Sequence, residues 1–232
     1  MSLFVMSDQY PRFFSALRRT GHEVIPSDLI SAFPPPEQRH ADMQALRIKD
    51  RLFILKEAAG LRKKLATAAP IIADSEAGSK YPDNILLNFL FLNNRLYGRI
   101  DRLDPAVKRF CEEEGIELRK ISQGYARCST LVVTETAAIT ADKGIFRALK
   151  DDGADVLLIS QGNIELKGCD YGFIGGASGK TDDNTVVFFG NIAEHPDHDE
   201  IIKFITAHGL DIKILAPEQK LTDIGGIVKV LT

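Results

Sequence analysis

The sequence predicts a mixed α/β fold built as a ring of five pseudo-repeats, each a strand, a helix, a second strand and a crossover strand. Three observations carry this. Short β-rich runs alternate with amphipathic stretches of helical period, glycines stand where those helices must stop, and the order recurs about every 46 residues along the 232-residue chain. A unit of that size cannot bury its own apolar face, so the units must pack together, and closing them into a ring removes exposed sheet edges. One domain is expected, with approximate units 1–49, 50–93, 94–135, 136–183 and 184–232.

In the first unit, Leu3-Phe4-Val5 reads as a strand, Pro11 to Thr20 as a helix stopped by Gly21, and Glu23-Val24-Ile25 as the returning strand. His40-Ala41-Asp42 follows as the crossover. The stiff lead-in Phe33-Pro34-Pro35-Pro36 restricts this loop, and period two puts His40 and Asp42 on one face of an extended segment. The second unit has strand Leu52 to Leu55, helix Ala58 to Ala66 and strand Ile71-Ile72, and Pro82-Asp83-Asn84 leads into the most apolar run, Ile85 to Leu92. That run is interrupted by Asn88, is far shorter than the ~20 residues of a membrane helix, and reads as a core strand.

The third unit runs from strand Arg95–Ile100 through Asp104-Pro105, which opens a helix, to Gly115, strand Glu117–Ile121 and a glycine-led crossover, Gly124-Tyr125-Ala126-Arg127-Cys128-Ser129. In the fourth, strand Ala137–Thr140, helix Ile145–Asp151, Gly153, strand Asp155–Ile159 and a half-buried strand Ile164-Glu165-Leu166 precede Tyr171-Gly172-Phe173-Ile174-Gly175-Gly176. The fifth has strand Thr185–Phe189, helix Asp199–His208, Gly209, strand Asp211–Leu215, then Thr222-Asp223-Ile224-Gly225-Gly226 entering a terminal strand.

Composition narrows function. With 44% hydrophobic and 26% charged residues the chain is globular, and 29 basic against 32 acidic residues, a formal charge of −3, give no broad attraction for nucleic acid or an anionic membrane. The first dozen residues lack the features of an export signal, and the three cysteines form no CxxC pair, so a reducing, cytoplasmic setting with no structural metal is expected. Cys111 on a helix and Cys169 in a turn read as structural. His195-Pro196-Asp197-His198-Asp199 holds metal-ligand types but reads as a helix start. Gly175 to Thr181 has one residue too few for a nucleotide-binding loop and leads to a strand. No cofactor is called for.

The layout resembles the guanidino-group-modifying enzyme fold, the pentein or five-bladed β/α propeller of arginine deiminases, dimethylarginine hydrolases and amidinotransferases. More narrowly, the segments Cys128–Val133, Ala138–Ile145 and Tyr171–Gly179 resemble a bacterial family of that fold. The resemblance implies a cysteine nucleophile, a His-x-Asp base and carboxylates that hold a guanidinium at the central channel. His40-Ala41-Asp42 resembles the His-x-Asp pair, with Asp42 orienting His40, and Cys128 stands in the glycine-led cysteine segment. Asp83 and Asp223 occupy comparable crossovers and would grip the cation. Arg127 and Lys180 complete the expected ligand contacts, with Lys180 helping the loop amides hold a carboxylate.

A thiol of pKa about 8.5 is only about 3% ionised at pH 7, and a protonated His40 lowering it to roughly 6 would raise the thiolate about 30-fold. The expected function is a hydrolase or transferase acting on a small guanidino or amidine compound. One departure supports a second reading. The last unit's Gly225-Gly226-Ile227-Val228-Lys229 carries no cysteine, where the resemblance implies the nucleophile. A non-catalytic ring that binds a small polar ligand, or serves as an interaction scaffold, is the alternative.

Overall fold

The computed structural model describes residues 2–182 and 184–231. Met1, Asp183 and Thr232, which belong to the expected first, fourth and fifth units, lie outside the described residues. In chain order the strands of the first half are β1 (Leu3–Met6), β2 (Glu23–Pro26), β3 (Ala45–Ile48), β4 (Arg51–Ile54), β5 (Ile71–Ile72), β6 (Leu90–Leu92), β7 (Arg95–Gly98) and β8 (Glu117–Lys120). Those of the second half are β9 (Thr130–Thr134), β10 (Ala137–Thr140), β11 (Asp155–Leu158), β12 (Ser178–Lys180), β13 (Thr185–Asn191), β14 (Asp211–Lys220) and β15 (Ile227–Leu231). The helices are α1 (Pro11–Arg19), α2 (Ala41–Gln44), α3 (Ala59–Lys64), α4 (Pro105–Glu113), α5 (Lys143–Asp151) and α6 (His198–Ala207). None is long and apolar enough to cross a membrane.

The strands form five three-stranded sheets, and all five repeat one pattern. The middle strand pairs antiparallel with the strand before it and parallel with the strand that returns after the helix, as in β3-β4-β5 and β9-β10-β11. The sheet β15-β1-β2 takes its first strand from the C-terminal segment: β15 pairs antiparallel with β1, with Val5 opposite Val228 and Met6 opposite Ile227. That pairing closes the ring. Each crossover therefore leaves one sheet and enters the first strand of the next, which gives all five crossovers the same topological position.

Local sequence accounts for the helices. Pro105 has its fixed φ at the first position of α4, and the buried Asp104 caps it by accepting from Ala106 N at 2.9 Å. Asp142 caps α5 through Gly144 N and Ile145 N. Gly115 and Gly153 follow α4 and α5 with φ of 62° and 83°, a left-handed turn a side chain would resist. The apolar helix faces pack on the sheets: Val107 and Phe110 of α4, Ile145 and Leu149 of α5, and Ile201 and Ile205 of α6 are buried.

Three expectations are corrected. Residues 40–42 are not a strand: His40 is extended, but Ala41 and Asp42 open the single helical turn α2, because Asp42 N donates to Gly225 O and buried Gln44 clamps Asp28 N and O with its amide. Of the apolar run Ile85 to Leu92 only Leu90–Leu92 is strand. The preceding residues form a buried turn that brings Asn88 inward. Residues 164–166 make only an isolated bridge, Glu165 to Thr222.

Candidate active site

Four crossovers converge on a cavity of about 300 Å³. The first supplies Glu37, His40 and Met43, the third Tyr125 and Cys128, the fourth Asp170, Tyr171 and Phe173, and the fifth Asp223. Each position follows from local folding. The Pro34–Pro36 lead-in ends in turns, with Glu37 N donating to Pro34 O and His40 N to Glu37 O, so both side chains are set before α2 begins. Gly225, with φ 77°, lies so close to His40 that a Cβ there would approach His40 Cα, Cβ and Cγ at 2.4 Å.

At the cavity floor, donor atoms of His40, Asp42 and Cys128 lie within 4.8 Å of one another, and all three residues are buried. The Cys128 thiol donates to Asp42 Oδ2 at 3.0 Å. Asn88, buried beneath, donates to Cys128 Sγ at 3.0 Å, while its Oδ1 accepts from Arg127 N at 3.0 Å and Cys128 N at 3.3 Å. His40 Nε2 and Asp42 Oδ1 are buried without a hydrogen-bond partner among the described residues. Buried polar atoms are normally satisfied, so the pair is a place for a ligand's donors or acceptors.

The electrostatics are acidic. Burial pushes the Asp42 carboxyl up to about 6, against the opposing pull of His40. Burial, and then the charges of Asp42 and Asp223, push the Cys128 thiol well above its ordinary range. The expectation that His40 would lower it is overturned: a thiol removed from water and hydrogen-bonded to a carboxylate is held protonated. Asp42 also bonds the thiol, where it was expected to orient His40. Glu37 is raised by burial as well, although it accepts from Tyr125 Oη at 2.9 Å and Asn84 Nδ2 at 2.7 Å. Asp223 is fixed by Phe173 N and Gly225 N, each at 2.9 Å.

The other sequence-derived candidates lie elsewhere. Asp83 is exposed and pairs with Arg102 at 2.8 Å. The inward position of that crossover belongs to Asn84, one residue later, which bonds Glu37 and Tyr125. Arg127 and Lys180 line a second cavity, of about 730 Å³. Cys169, expected to be structural, is exposed and borders the first cavity, whereas Cys111 is buried and its thiol is raised to about 11. Gly175 serves close packing: a Cβ there would meet the carbonyl oxygens of Arg127, Cys128 and Thr130 at 2.4 to 2.6 Å. Asn88, Glu37 and Tyr125 were not singled out from sequence for this site. Only Asn88 left a signal, as the polar interruption of an apolar run. The His40, Asp42 and Cys128 atoms are also of kinds that transition metals accept, a grouping across two crossovers that local spacing does not reveal.

Solved structures similar to this chain share its fold. DDAH from Pseudomonas aeruginosa, in a cysteine-to-serine variant complexed with citrulline, matches with a TM-score of 0.58 at 8% identity, covering 98% of each chain. An agmatine deiminase from C. jejuni with substrate bound gives 0.54 at 10% identity, over 100% of this chain and 93% of that one. An amidinotransferase from Microseira wollei, in the saxitoxin biosynthetic pathway, gives 0.51 at 11%, over 99% and 94%. The chain thus has the pentein fold of the guanidino-group-modifying enzymes. It belongs to the family described as Family of unknown function (DUF6873), whose match covers residues 4–228. No curated protein matches the chain.

Proposed function

We propose that the protein is a cysteine-dependent hydrolase or transferase acting on a small cationic amidine or guanidine. One observation carries this reading: Cys128, beside Asp42, opens with His40 into a cavity whose other ionisable lining includes Glu37, Asp170 and Asp223, and no Lys or Arg. Such a wall favours a cation and disfavours a substrate bearing a free carboxylate, because three carboxyl groups face it and His40 is the sole basic side chain among the described lining residues.

The resting thiol is neutral, and the substrate supplies what it lacks. A cation about 4 Å from the sulfur, at an effective dielectric of about 20, is worth roughly 4 kcal/mol, or about 3 pH units of thiol acidity. Cys128 passes its proton to Asp42, whose carboxyl near 6 suits a group that takes and returns protons close to neutrality. The sulfur forms a bond to the central amidinium carbon. Breaking the C–N bond then releases an amine that takes the proton from Asp42. Water, or an acceptor amine in the transferase case, adds to the S-linked amidinium as His40 accepts its proton, and as the C–S bond breaks His40 returns that proton to the sulfur, restoring the Cys128 thiol.

The test is labelling by 2-chloroacetamidine against neutral chloroacetamide at pH 7.5, with the site mapped by mass spectrometry. Cys128 is expected to take the cationic reagent at least tenfold faster, with His40→Ala slowing it and Cys128→Ser abolishing it. Equal rates for the two reagents, or modification confined to Cys169, would overturn the reading.

A further inference from the structure

The second cavity is opposite in character to the first. Its polar lining comes from the first strands of the sheets and the residues beside them: Arg47 of β3, Arg127 just before β9, Lys180 of β12 and Lys229 of β15, with Lys49 beyond β3. Four of the five sheets thus each direct a cation to one bowl of about 730 Å³. Among the described residues the carboxylates in the lining are Glu135 and Asp182, so positive charge is in excess there. Adjacent residues Arg127 and Cys128 belong to opposite cavities, and Asn88 Oδ1 accepts from both their amides.

The cations differ in how far they are already engaged. Arg47 Nη1 is committed to the carbonyls of Lys229 and Val230, Arg127 Nη1 donates to Thr130 O at 3.2 Å, and Lys49 pairs with Glu114 at 3.2 Å. Lys180 and Lys229 make no ion pair among the described residues and are only partly exposed. Two half-buried lysines on different sheets, flanked by two arginines, suit a ligand with several anionic oxygens pointing in different directions. A single planar carboxylate would engage one arginine fork and leave the others unmet. Half-buried Phe91 and buried Leu131 and Ile227 add apolar wall for an organic body.

We infer that this basic bowl is a binding site for a small phosphoryl compound, distinct from the cavity at Cys128. The ligand is a free polyphosphate or a phosphate ester. The site stands on its own residues, so its test is independent of any chemistry at Cys128.

Isothermal titration calorimetry at constant ionic strength, with inorganic pyrophosphate, ribose 5-phosphate and citrate as probes, decides the matter. One of the two phosphates is expected to bind saturably with a Kd below about 1 mM, and to weaken at least tenfold in the K180Q/K229Q double variant. Binding should be retained in K180R/K229R, which keeps the charges and controls for folding. Tighter ribose 5-phosphate assigns an ester, and tighter pyrophosphate a free polyphosphate. No saturable heat, undiminished binding by K180Q/K229Q, or citrate binding as tightly as either phosphate would overturn the assignment.

Discussion

Cys128 and Asp42 hold each other in states that neither has in water. With Oδ1 unpartnered and Oδ2 accepting a thiol, the Asp42 carboxylate is incompletely compensated for its burial, and its pKa rises from 3.8 to about 6. A folded-state value above the unfolded one means that the folded protein binds the extra proton. The stability contributed is fully present below about pH 3.8 and is lost as pH rises through 6. The shift corresponds to about 3 kcal/mol, a cost the resting protein carries at neutrality. Asp42→Asn, which cannot ionise, is therefore expected to gain about 2.5 kcal/mol of this on the wild type between pH 4 and pH 7, read as the difference in urea unfolding free energy at the two pH values. The gain should accompany loss of labelling at Cys128, as expected where a strained site is kept for function. A constant difference between variant and wild type across that range would show that Asp42 is not the group that titrates.

One helix start in this fold doubles as a fastener between neighbouring units. Asp104 is fully buried and, besides capping α4, accepts from Asp74 N at 3.1 Å and Ser75 N at 2.8 Å, joining the loop after β5 to the helix of the next sheet. Asp104→Ala leaves three amides without this acceptor and is expected to destabilise the protein by about 2–4 kcal/mol, measured as a fall in urea midpoint, with chloroacetamidine labelling of the remaining folded protein unchanged. Loss of labelling as well would mean that the cap also positions the cavity. At this scale the sequence was most informative. Helical periodicity and glycine stops predict α1, α4, α5 and α6 to within two residues at either end, because each buries one face on a sheet and stops at a left-handed glycine. Where tertiary contacts override local pattern, prediction failed. The turn of α2 is too short to show a period, and Ile85 to Phe89 has strand composition but is bent by what Asn88 must reach. The site divides similarly. His40, Asp42, Cys128 and Asp223 stood out as chemically capable residues in crossovers. Glu37 and Tyr125 meet only through a contact 88 positions apart, and the choice of Asn84 over Asp83 for the inward position depends on that meeting.

Across the whole molecule, one non-covalent junction has the job that hairpins do elsewhere. In β6-β7, Leu92 pairs with Arg95 across a two-residue turn, Asn93-Asn94, whose φ values of 50° and 55° match a tight hairpin. In β15-β1, Leu231 pairs with Leu3 in the same antiparallel sense, yet no turn joins them. The ring is thus one hairpin short of cyclic, and its sheets are equivalent in topology whichever hairpin is left open. Joining Leu231 to Leu3 through Asn-Gly and reopening the chain between Asn93 and Asn94 preserves every strand pair. Both crossovers that hold His40 and Cys128 are also kept intact, although the new ends fall between them. The permutant is expected to fold, with cooperative urea unfolding and with Cys128 labelled by chloroacetamidine at a rate within about threefold of the parent, a difference under roughly 1 kcal/mol. A permutant that folds but has lost labelling would show that β6-β7 must be covalently closed to hold Asn88 under the thiol. One that does not fold would show that the β15-β1 junction has some property the other four hairpins lack, and the equivalence of the blades would fail.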